Sequence, residues 1–336
     1  MRILEVSRYK PQHWDHQSPF VTEQGEALRR AGCEVEYFLM EGSYLRQFKL
    51  LRRKIKDFGP DIIHAHYGLT AIIPELFASV PVVTTFHNGE THSWYSNLIE
   101  SLCSLRAKHV IYVEKHVYDL VYFKHKHYSI IPCGINLSDC IRISKSEARK
   151  QLGWSMDKKY ILFGGGFDTL RKGYPLLREA VELLTPYDSW KTSKGAEERG
   201  DIVCVELWDI ARSECFVRMN ACDVFALPSK SEGSPQALKE AMACGTPVVA
   251  TDIADVQYMF ENTKGNFLLS NKGPTKAYWQ GNEQSPQELA DLLKSALAFQ
   301  NRTNGRERLI KIGYTNDLIA QKLMKIYESV LETYKK

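Results

Sequence analysis

The chain has no Cys-x2-Cys pair, no Asp-x-Asp, no histidine after position 127 and no apolar run of membrane-spanning length. Its eight cysteines (33, 103, 133, 140, 204, 215, 222 and 244) are scattered and mostly lie in apolar surroundings. A disulfide framework or zinc ribbon is therefore disfavoured, and reduced core thiols of a cytoplasmic protein are expected. Single-sign charge is also missing: 44 Lys and Arg against 40 Asp and Glu leave a net +4, too mild to argue for nucleic acid. The first residues, Met1-Arg2-Ile3-Leu4-Glu5-Val6, read as a strand and not as a secretory signal. Internal repeats and low-complexity tracts are absent. A length of 336 residues that are 44% hydrophobic and 25% charged suits an ordinary globular protein with two separate cores.

What is present is a regular alternation of short apolar runs and helical patterns. Candidate strands lie at 2–7, 34–39, 61–66, 80–86, 109–113 and 129–132. An amphipathic stretch at 20–31 is closed by Gly32, in the position that follows a helix. A break falls at Gly134-Ile135-Asn136, and a polar stretch runs on to Lys150. A second alternation uses 160–164, 202–206, 223–227 and 248–251, while 185–199 is polar and turn-rich and reads as a surface loop. The pattern predicts an α/β protein of two doubly wound domains facing each other across a cleft. The expected domains are 1–138, completed by an amphipathic helix within 315–336, and 139–314.

The densest signal is Ser231-Glu232-Gly233-Ser234-Pro235-Gln236-Ala237-Leu238-Lys239-Glu240-Ala241-Met242-Ala243-Cys244-Gly245. A buried strand precedes it, and Pro247-Val248-Val249-Ala250-Thr251 resumes one after it. Ser234 is expected to cap a helix whose first residue is Pro235, and Gly245 to end it. The N–H groups of Gln236, Ala237 and Leu238 would then face an anion at the carboxyl end of a parallel sheet. Glu232 precedes this anion site and Glu240 lies one to two turns inside the helix. Two acceptor groups flanking a phosphate cradle suit a nucleotide sugar. A bare Glu-x7-Glu pair is otherwise ordinary helix surface. A second glycine-rich element, Phe163-Gly164-Gly165-Gly166-Phe167-Asp168-Thr169-Leu170-Arg171-Lys172-Gly173, follows a strand. Its glycines permit close approach of a ligand, and its two cations can reach a diphosphate.

In residue order as well as spacing, the run from Glu232 through Thr251 resembles the signature of glycosyltransferase family 4, the retaining glycosyl transferases group 1. The resemblance covers nearly the whole chain, strongly over 160–252 and loosely before 138. It implies a GT-B fold, with two Rossmann-like domains and the C-terminal helix returning to the first. Lys172 falls on the family's diphosphate lysine, and His87, in Thr84-Thr85-Phe86-His87, on the histidine near the transferred sugar. Two departures stand out. Gly166 and Phe167 occupy positions where the family commonly has an arginine, and Asp15-His16 replace a pair of glycines after strand one.

The expected donor site is thus Gly165, Gly166, Arg171, Lys172, Glu232, Gly233, Ser234, Pro235, Gln236, Ala237 and Glu240. His87, Lys172 and Glu232 would act on the reacting groups, and Asp15, His16 and His87 would line the acceptor side. Glu240 would hold ribose hydroxyls and Glu232 those of the donor sugar. His64 and His66 point to one face of a strand and invite a metal reading. No third ligand of suitable spacing stands out, and the family shows a similar pair without metal. With no Asp-x-Asp for a metal-bound diphosphate, no metal and no other cofactor are expected. The implied enzyme is a metal-independent, retaining hexosyltransferase. It would move a sugar from a nucleoside diphosphate sugar to a hydroxyl of a glycan or polyprenyl-linked glycan in cell-surface polysaccharide synthesis. The rivals are a nucleotide-sugar epimerase or a phosphorylase of the same fold and a non-catalytic nucleotide-sugar or glycan binder. Residues 45–56 interleave Arg46, Lys49, Arg52, Arg53, Lys54 and Lys56 with Leu45, Phe48, Leu50, Leu51 and Ile55. They read either as a peripheral contact with an anionic membrane on its cytoplasmic face or as a core-facing helix with a basic outer side.

Overall fold

The computed structural model describes residues 1–8, 18–87, 98, 101–102, 105–185, 187, 189–271 and 284–334. The chain forms two compact units, Met1–Asn136 with Gly313–Lys336, and Leu137–Ile312. The first unit runs β1 (Arg2–Arg8), α1 (Pro19–Arg30), β2 (Glu34–Met40), α2 (Tyr44–Phe58), β3 (Ile62–His66), α3 (Gly68–Phe77), β4 (Val82–Phe86), β5 (His109–Tyr112), α4 (Lys115–Leu120) and β6 (Tyr128–Ile130). The C-terminal helix α12 (Asn316–Tyr334) completes it. Its six described strands are ordered β2-β1-β3-β4-β5-β6, all parallel.

Side chains alternate between the two faces of each strand, and both faces are covered, which is why the strands read as near-continuous apolar runs. Ile3, Ile62, Val83 and Ile111 pack with Ala27 and Leu28 of α1 and with Ile319, Leu323 and Tyr327 of α12. Their neighbours Leu4, Val6, Ile63 and Ala65 pack on the other face with Leu51 and Phe58 of α2 and Ala71 and Ile73 of α3. This second cluster takes up part of the 45–56 stripe. Leu51 is buried, and Phe48 and Ile55 pack against the same core, so only Leu45 and Leu50 of that stripe remain exposed. Burial of the stripe against the sheet wins because it removes apolar surface from water in every state of the protein.

The second unit starts with α5 (Lys145–Leu152), capped by Ser144, whose Oγ accepts from the Glu147 N–H. It continues through β7 (Lys159–Phe163), α6 (Tyr174–Leu184), β8 (Lys191–Ser193), β9 (Ala196–Arg199), β10 (Ile202–Glu206), α7 (Arg212–Ala221), β11 (Val224–Leu227), α8 (Gln236–Cys244), β12 (Val248–Thr251), α9 (Val256–Phe260), β13 (Asn266–Leu269), α10 (Pro286–Ala298) and α11 (Gly305–Lys311). The described strands are ordered β13-β12-β11-β7-β10-β9-β8, with β8 and β9 antiparallel and the rest parallel.

The surface loop expected over 185–199 is in part a hairpin. Gly195 turns it with φ +73°, and β9 pairs with β10. Its charged side chains hid it. Glu197 accepts a hydrogen bond from Tyr174 Oη at 2.7 Å, and Arg199 is buried beneath Trp190, so polar residues occupy strand positions through tertiary partners.

Candidate functional site

In the second sheet β7 lies between β11 and β10, so the strand order reverses beside β7. Ligands of open α/β sheets bind at the carboxyl ends of strands at such a reversal. Two loops occupy this place, 164–173 after β7 and 228–235 after β11. They are tied together by the Lys230 N–H donating to Arg171 O at 2.9 Å and Arg171 Nη1 donating to Ser231 O at 2.6 Å. Lys172 Nζ then meets Glu232 Oε1 at 2.7 Å, with Arg171 Nη1 3.6 Å from Glu232 Oε2. Burial alone would raise the Glu232 carboxyl, but Lys172 and Arg171 outweigh it and hold its pKa below the ordinary value. The donor-side residues Arg171, Lys172 and Glu232 are thus brought together as one charged cluster.

The glycines serve the protein's own packing first. A Cβ on Gly164 would stand 2.7 Å from Leu227 Cδ1, and one on Gly165 would stand 2.9 Å from Lys172 Cγ. On Gly166 it would meet Asp168 Oδ1 at 2.9 Å and Trp208 Cγ at 3.1 Å. Gly173 ends the short 3-10 turn Leu170–Lys172 at φ +81°, where a Cβ would fall 2.1 Å from Pro228 O. Only glycine satisfies that conformation and that contact together. Phe167, at a position where an arginine is common in the family, stacks on Tyr174 with ring centroids 4.0 Å apart, and its N–H donates to Glu206 Oε2 at 2.9 Å.

The expected cap is corrected. Helix α8 begins at Gln236, Pro235 is its extended capping residue, and Ser234 makes no cap hydrogen bond. Instead Ser234 Oγ accepts from Lys239 Nζ at 2.7 Å. Lys239 is fully buried, and a buried ammonium requires an acceptor, which outcompetes a backbone amide for that oxygen. The first-turn amides of α8, including those of Ala237 and Leu238, still have no carbonyl partner within the helix. Gly233 is buried in the loop before them. Glu240 is 3% exposed and pairs with Arg212 Nη2 at 2.6 Å.

Arg212, Lys239 and Glu206 were not among the residues singled out from sequence. The usable signal for Arg212 was a basic residue following the carboxyl end of β10. Trp208, 57% exposed, lies in the same connection.

In the first unit, His87 follows the carboxyl end of β4 and is buried. It belongs to a chain of contacts that sequence spacing did not reveal. Glu5 of β1 pairs in register with His64 of β3, and His66 pairs with Thr85 of β4. Glu5 Oε2 lies 2.7 Å from His66 Nε2, and His66 Nδ1 lies 2.9 Å from His87 Nε2. Cys133 Sγ is 3.4 Å from His87 Nδ1. His64 contacts Tyr327 Oη of α12 at 2.6 Å and Thr85 Oγ1 at 2.7 Å. Glu5, His64 and His66 are each 0% exposed. Burial lowers both histidines to about 3 and raises Glu5. Tyr67, next to His66, holds φ +70°, a strained conformation for a bulky residue.

Glu5 supplies the third ligand-type group that spacing had not shown: ligand atoms of Glu5, His64 and His66 lie within 4.8 Å of one another. All four ring nitrogens of the two histidines already have protein partners. Asp15 and His16 lie outside the described residues.

A family model described as "Glycosyl transferases group 1" matches residues 158–297, and one described as "Glycosyltransferase Family 4" matches residues 38–139. The chain belongs to glycosyltransferase family 4. As a member of this family it is similar to the putative teichuronic acid biosynthesis glycosyltransferase TuaC of Bacillus subtilis, at 29% identity over 62% of this chain. That match spans 57% of TuaC, just over half its length. It is also similar to the N,N'-diacetylbacillosaminyl-diphospho-undecaprenol alpha-1,3-N-acetylgalactosaminyltransferase of Campylobacter jejuni, at 25% identity over 92% of this chain and 89% of that protein.

Among solved structures, sucrose-phosphate synthase of Thermosynechococcus elongatus superimposes with a TM-score of 0.74 at 20% identity, covering 99% of both chains. HepE of Anabaena, in complex with UDP and glucose, gives 0.74 at 17% identity, covering 98% of this chain and 100% of HepE. The fold is GT-B, and its two Rossmann-like units are those described above.

Proposed function

We propose that this chain is a retaining, metal-independent hexosyltransferase. It moves a sugar from a nucleoside diphosphate sugar to a hydroxyl of a glycan or lipid-linked glycan in cell-surface polysaccharide synthesis. The observation that carries the reading is the Lys172–Arg171–Glu232 cluster at the strand-order reversal, beside the amide end of α8. Lys172 and those amides stabilise charge that develops on the departing diphosphate. Arg171 adds a second cation in place of the arginine that Gly166 and Phe167 displace. Glu240, oriented by Arg212, accepts from the ribose hydroxyls. Glu232, kept ionised by its two cations, accepts from hydroxyls of the donor sugar. His87 is assigned to a sugar hydroxyl on the family resemblance. The chain contains no Asp-x-Asp, so charge neutralisation falls to these cations and amides.

The relatives named above include one for teichuronic acid biosynthesis and one whose acceptor is a diphospho-undecaprenol, which supports a lipid-linked or cell-surface acceptor here. A basic and apolar recess of about 830 Å³, lined by Phe48, Arg52, Arg53, Lys56 and Phe77, is the surface we assign to an anionic bilayer. Among the described residues no helix is long and apolar enough to cross a membrane.

The test is release of UDP or GDP from UDP-glucose, UDP-N-acetylglucosamine and GDP-mannose, with and without a polyprenyl-linked lipid extract. Release that requires the extract supports transfer. Binding of donors without turnover in any combination supports a binder instead, and an isomerised donor supports an epimerase.

A further inference from the structure

The donor-side cluster stands at the carboxyl ends of strands in the second unit. A separate concentration of positive charge lies at the amino ends of β5 and β6 in the first. Arg106 and Lys108 lead into β5, which starts at His109, and His125, Lys126 and His127 lead into β6. The Lys108 N–H donates to Val82 O of β4 at 2.8 Å, and the Val110 N–H donates to His127 O at 3.0 Å. Parallel pairing thus sets the two basic segments side by side, on backbone that the sheet holds in place. The last turns of α12 close the third side, where Tyr334 Oη donates to Ser79 O at 3.0 Å. These segments enclose a recess of about 510 Å³.

The lining carries charge of one sign. It includes Arg106, Lys108 and Lys126, all exposed, and among the described residues no aspartate or glutamate. Glu328 and Glu332 stand on α12 but not among its lining groups. Lys108 Nζ lies over the Tyr334 ring, 5.4 Å from its centroid. Arg106 acts on Glu75, but burial still pushes that carboxyl up to about 8, so it is mostly uncharged at neutral pH. Burial, with His125 and His127 nearby, lowers His109 to about 4, which leaves it a neutral ring. The carbonyl end of α12 carries only about half a negative charge. Three fixed cations exceed that several-fold, so complementing the helix end does not account for them. Like charges gathered in one recess repel, and an anion placed among them removes that cost.

We propose that this recess binds a phosphate group carrying at least two negative charges. The Arg106 guanidinium grips two phosphate oxygens at once, and the ammonium groups of Lys108 and Lys126 act as point charges from both strand starts. The Ser329 hydroxyl, which also lines the recess, adds a neutral donor from α12. A phosphate monoester or diphosphate presents oxygens in several directions and so reaches all three segments together. A single carboxylate has neither the charge nor the oxygens to do this. The phosphate is either free, as in pyrophosphate, or carried by an amphiphile, as in phosphatidic acid.

All ten histidines lie at position 127 or earlier, so their ring signals report on the first unit alone. Protein with 15N-labelled histidine is titrated with pyrophosphate at constant ionic strength, with signals assigned from His125→Gln and His127→Gln samples. Both signals are expected to move and saturate, in the unaltered protein and equally in Lys172→Met. In Arg106→Gln/Lys126→Gln the dissociation constant is expected to rise at least tenfold. Glucuronate, with its single carboxylate, is expected to bind at least tenfold more weakly than pyrophosphate. Flotation with phosphatidylcholine vesicles, with and without phosphatidic acid, separates the two sources. Flotation that requires phosphatidic acid and is lost in Arg106→Gln/Lys126→Gln supports a lipid-borne phosphate. Pyrophosphate binding with flotation indifferent to those two residues supports a free one. Signals that stay unmoved, or that respond equally to sodium chloride or glucuronate, overturn the proposal. So does a response lost in Lys172→Met but kept in Arg106→Gln/Lys126→Gln, which would assign the phosphate to the donor side. Failure of sugar transfer with every donor and acceptor would leave all these outcomes unchanged.

Discussion

Lys172 and Glu232 bind each other at the place proposed for the diphosphate, so on that reading Glu232 competes with the ligand for its cation. Their atoms are 2.7 Å apart, and the side chains are 20% and 10% exposed. At an effective dielectric near 20, unit charges at that separation attract by about 6 kcal/mol before desolvation. Desolvation offsets much of this, and removing one partner of a buried pair costs about 3–5 kcal/mol because the other is left unpaired. Arg171 at 3.6 Å remains beside Glu232, so Lys172→Met should cost about 2–3 kcal/mol of unfolding free energy. Lys172→Met/Glu232→Gln should recover most of that loss, since no carboxylate is stranded.

For ligand binding the signs separate. Glu232→Gln should tighten UDP or GDP by about tenfold, or about 1.4 kcal/mol, by releasing Lys172 from its competitor. Lys172→Met should weaken the same nucleotides by a similar or larger factor. Sugar transfer should fall in both, because the proposed function also assigns Glu232 to the donor hydroxyls. Isothermal titration with UDP and GDP, alongside urea unfolding of the three variants, measures every arm. Weaker UDP and GDP binding in Glu232→Gln, or no recovery in the double variant, would refute the competition.

Three further outcomes follow from separate features. Glu240→Ala removes a charged acceptor worth about 1.5–3 kcal/mol, so UDP should bind roughly 10–150-fold more weakly. Inorganic pyrophosphate, which has no ribose, should bind no worse. Gly173→Ala forces an alanine to φ +81° against Pro228 O, so the urea midpoint should drop by an amount equivalent to about 3 kcal/mol. Unchanged stability there would mean that the 164–173 loop is held in some other way. Glu75 of α3 is buried, and burial pushes it up to about 8 despite the Thr84 hydroxyl and Arg106. Because the folded value is raised, its stabilising contribution is complete below about pH 4.5 and is lost as pH rises through about 8. Glu75→Gln should therefore gain stability relative to the unaltered protein between pH 5 and pH 8. A difference that stays flat with pH would contradict this.

Local chemistry determined much of this protein. Apolar runs separated by amphipathic stretches predicted the parallel strands of both sheets, because period-two and period-3.6 patterns are written within a few residues. Glycine at 32 and 245 marked helix ends for the same reason. The order Glu232 through Thr251, with Lys172 in its glycine-rich segment, picked out residues that the fold brings together as one charged cluster.

Tertiary structure decided what depends on elements distant in sequence. Arg212 meets Glu240 across 28 positions, and Glu5 meets His66 across 61, through strand order that no local period encodes. A buried Lys239 took the Ser234 hydroxyl and moved the start of α8 by one residue, and side-chain partners turned part of a polar loop into a hairpin. The 45–56 stripe was ambiguous in sequence because an apolar face reads alike whether it meets lipid or a sheet. The sheet took most of it. The sequence thus specified which residue types stand at the carboxyl ends of the strands. Packing across the strands decided which of them touch, and so which charge is held ionised, as at Glu232.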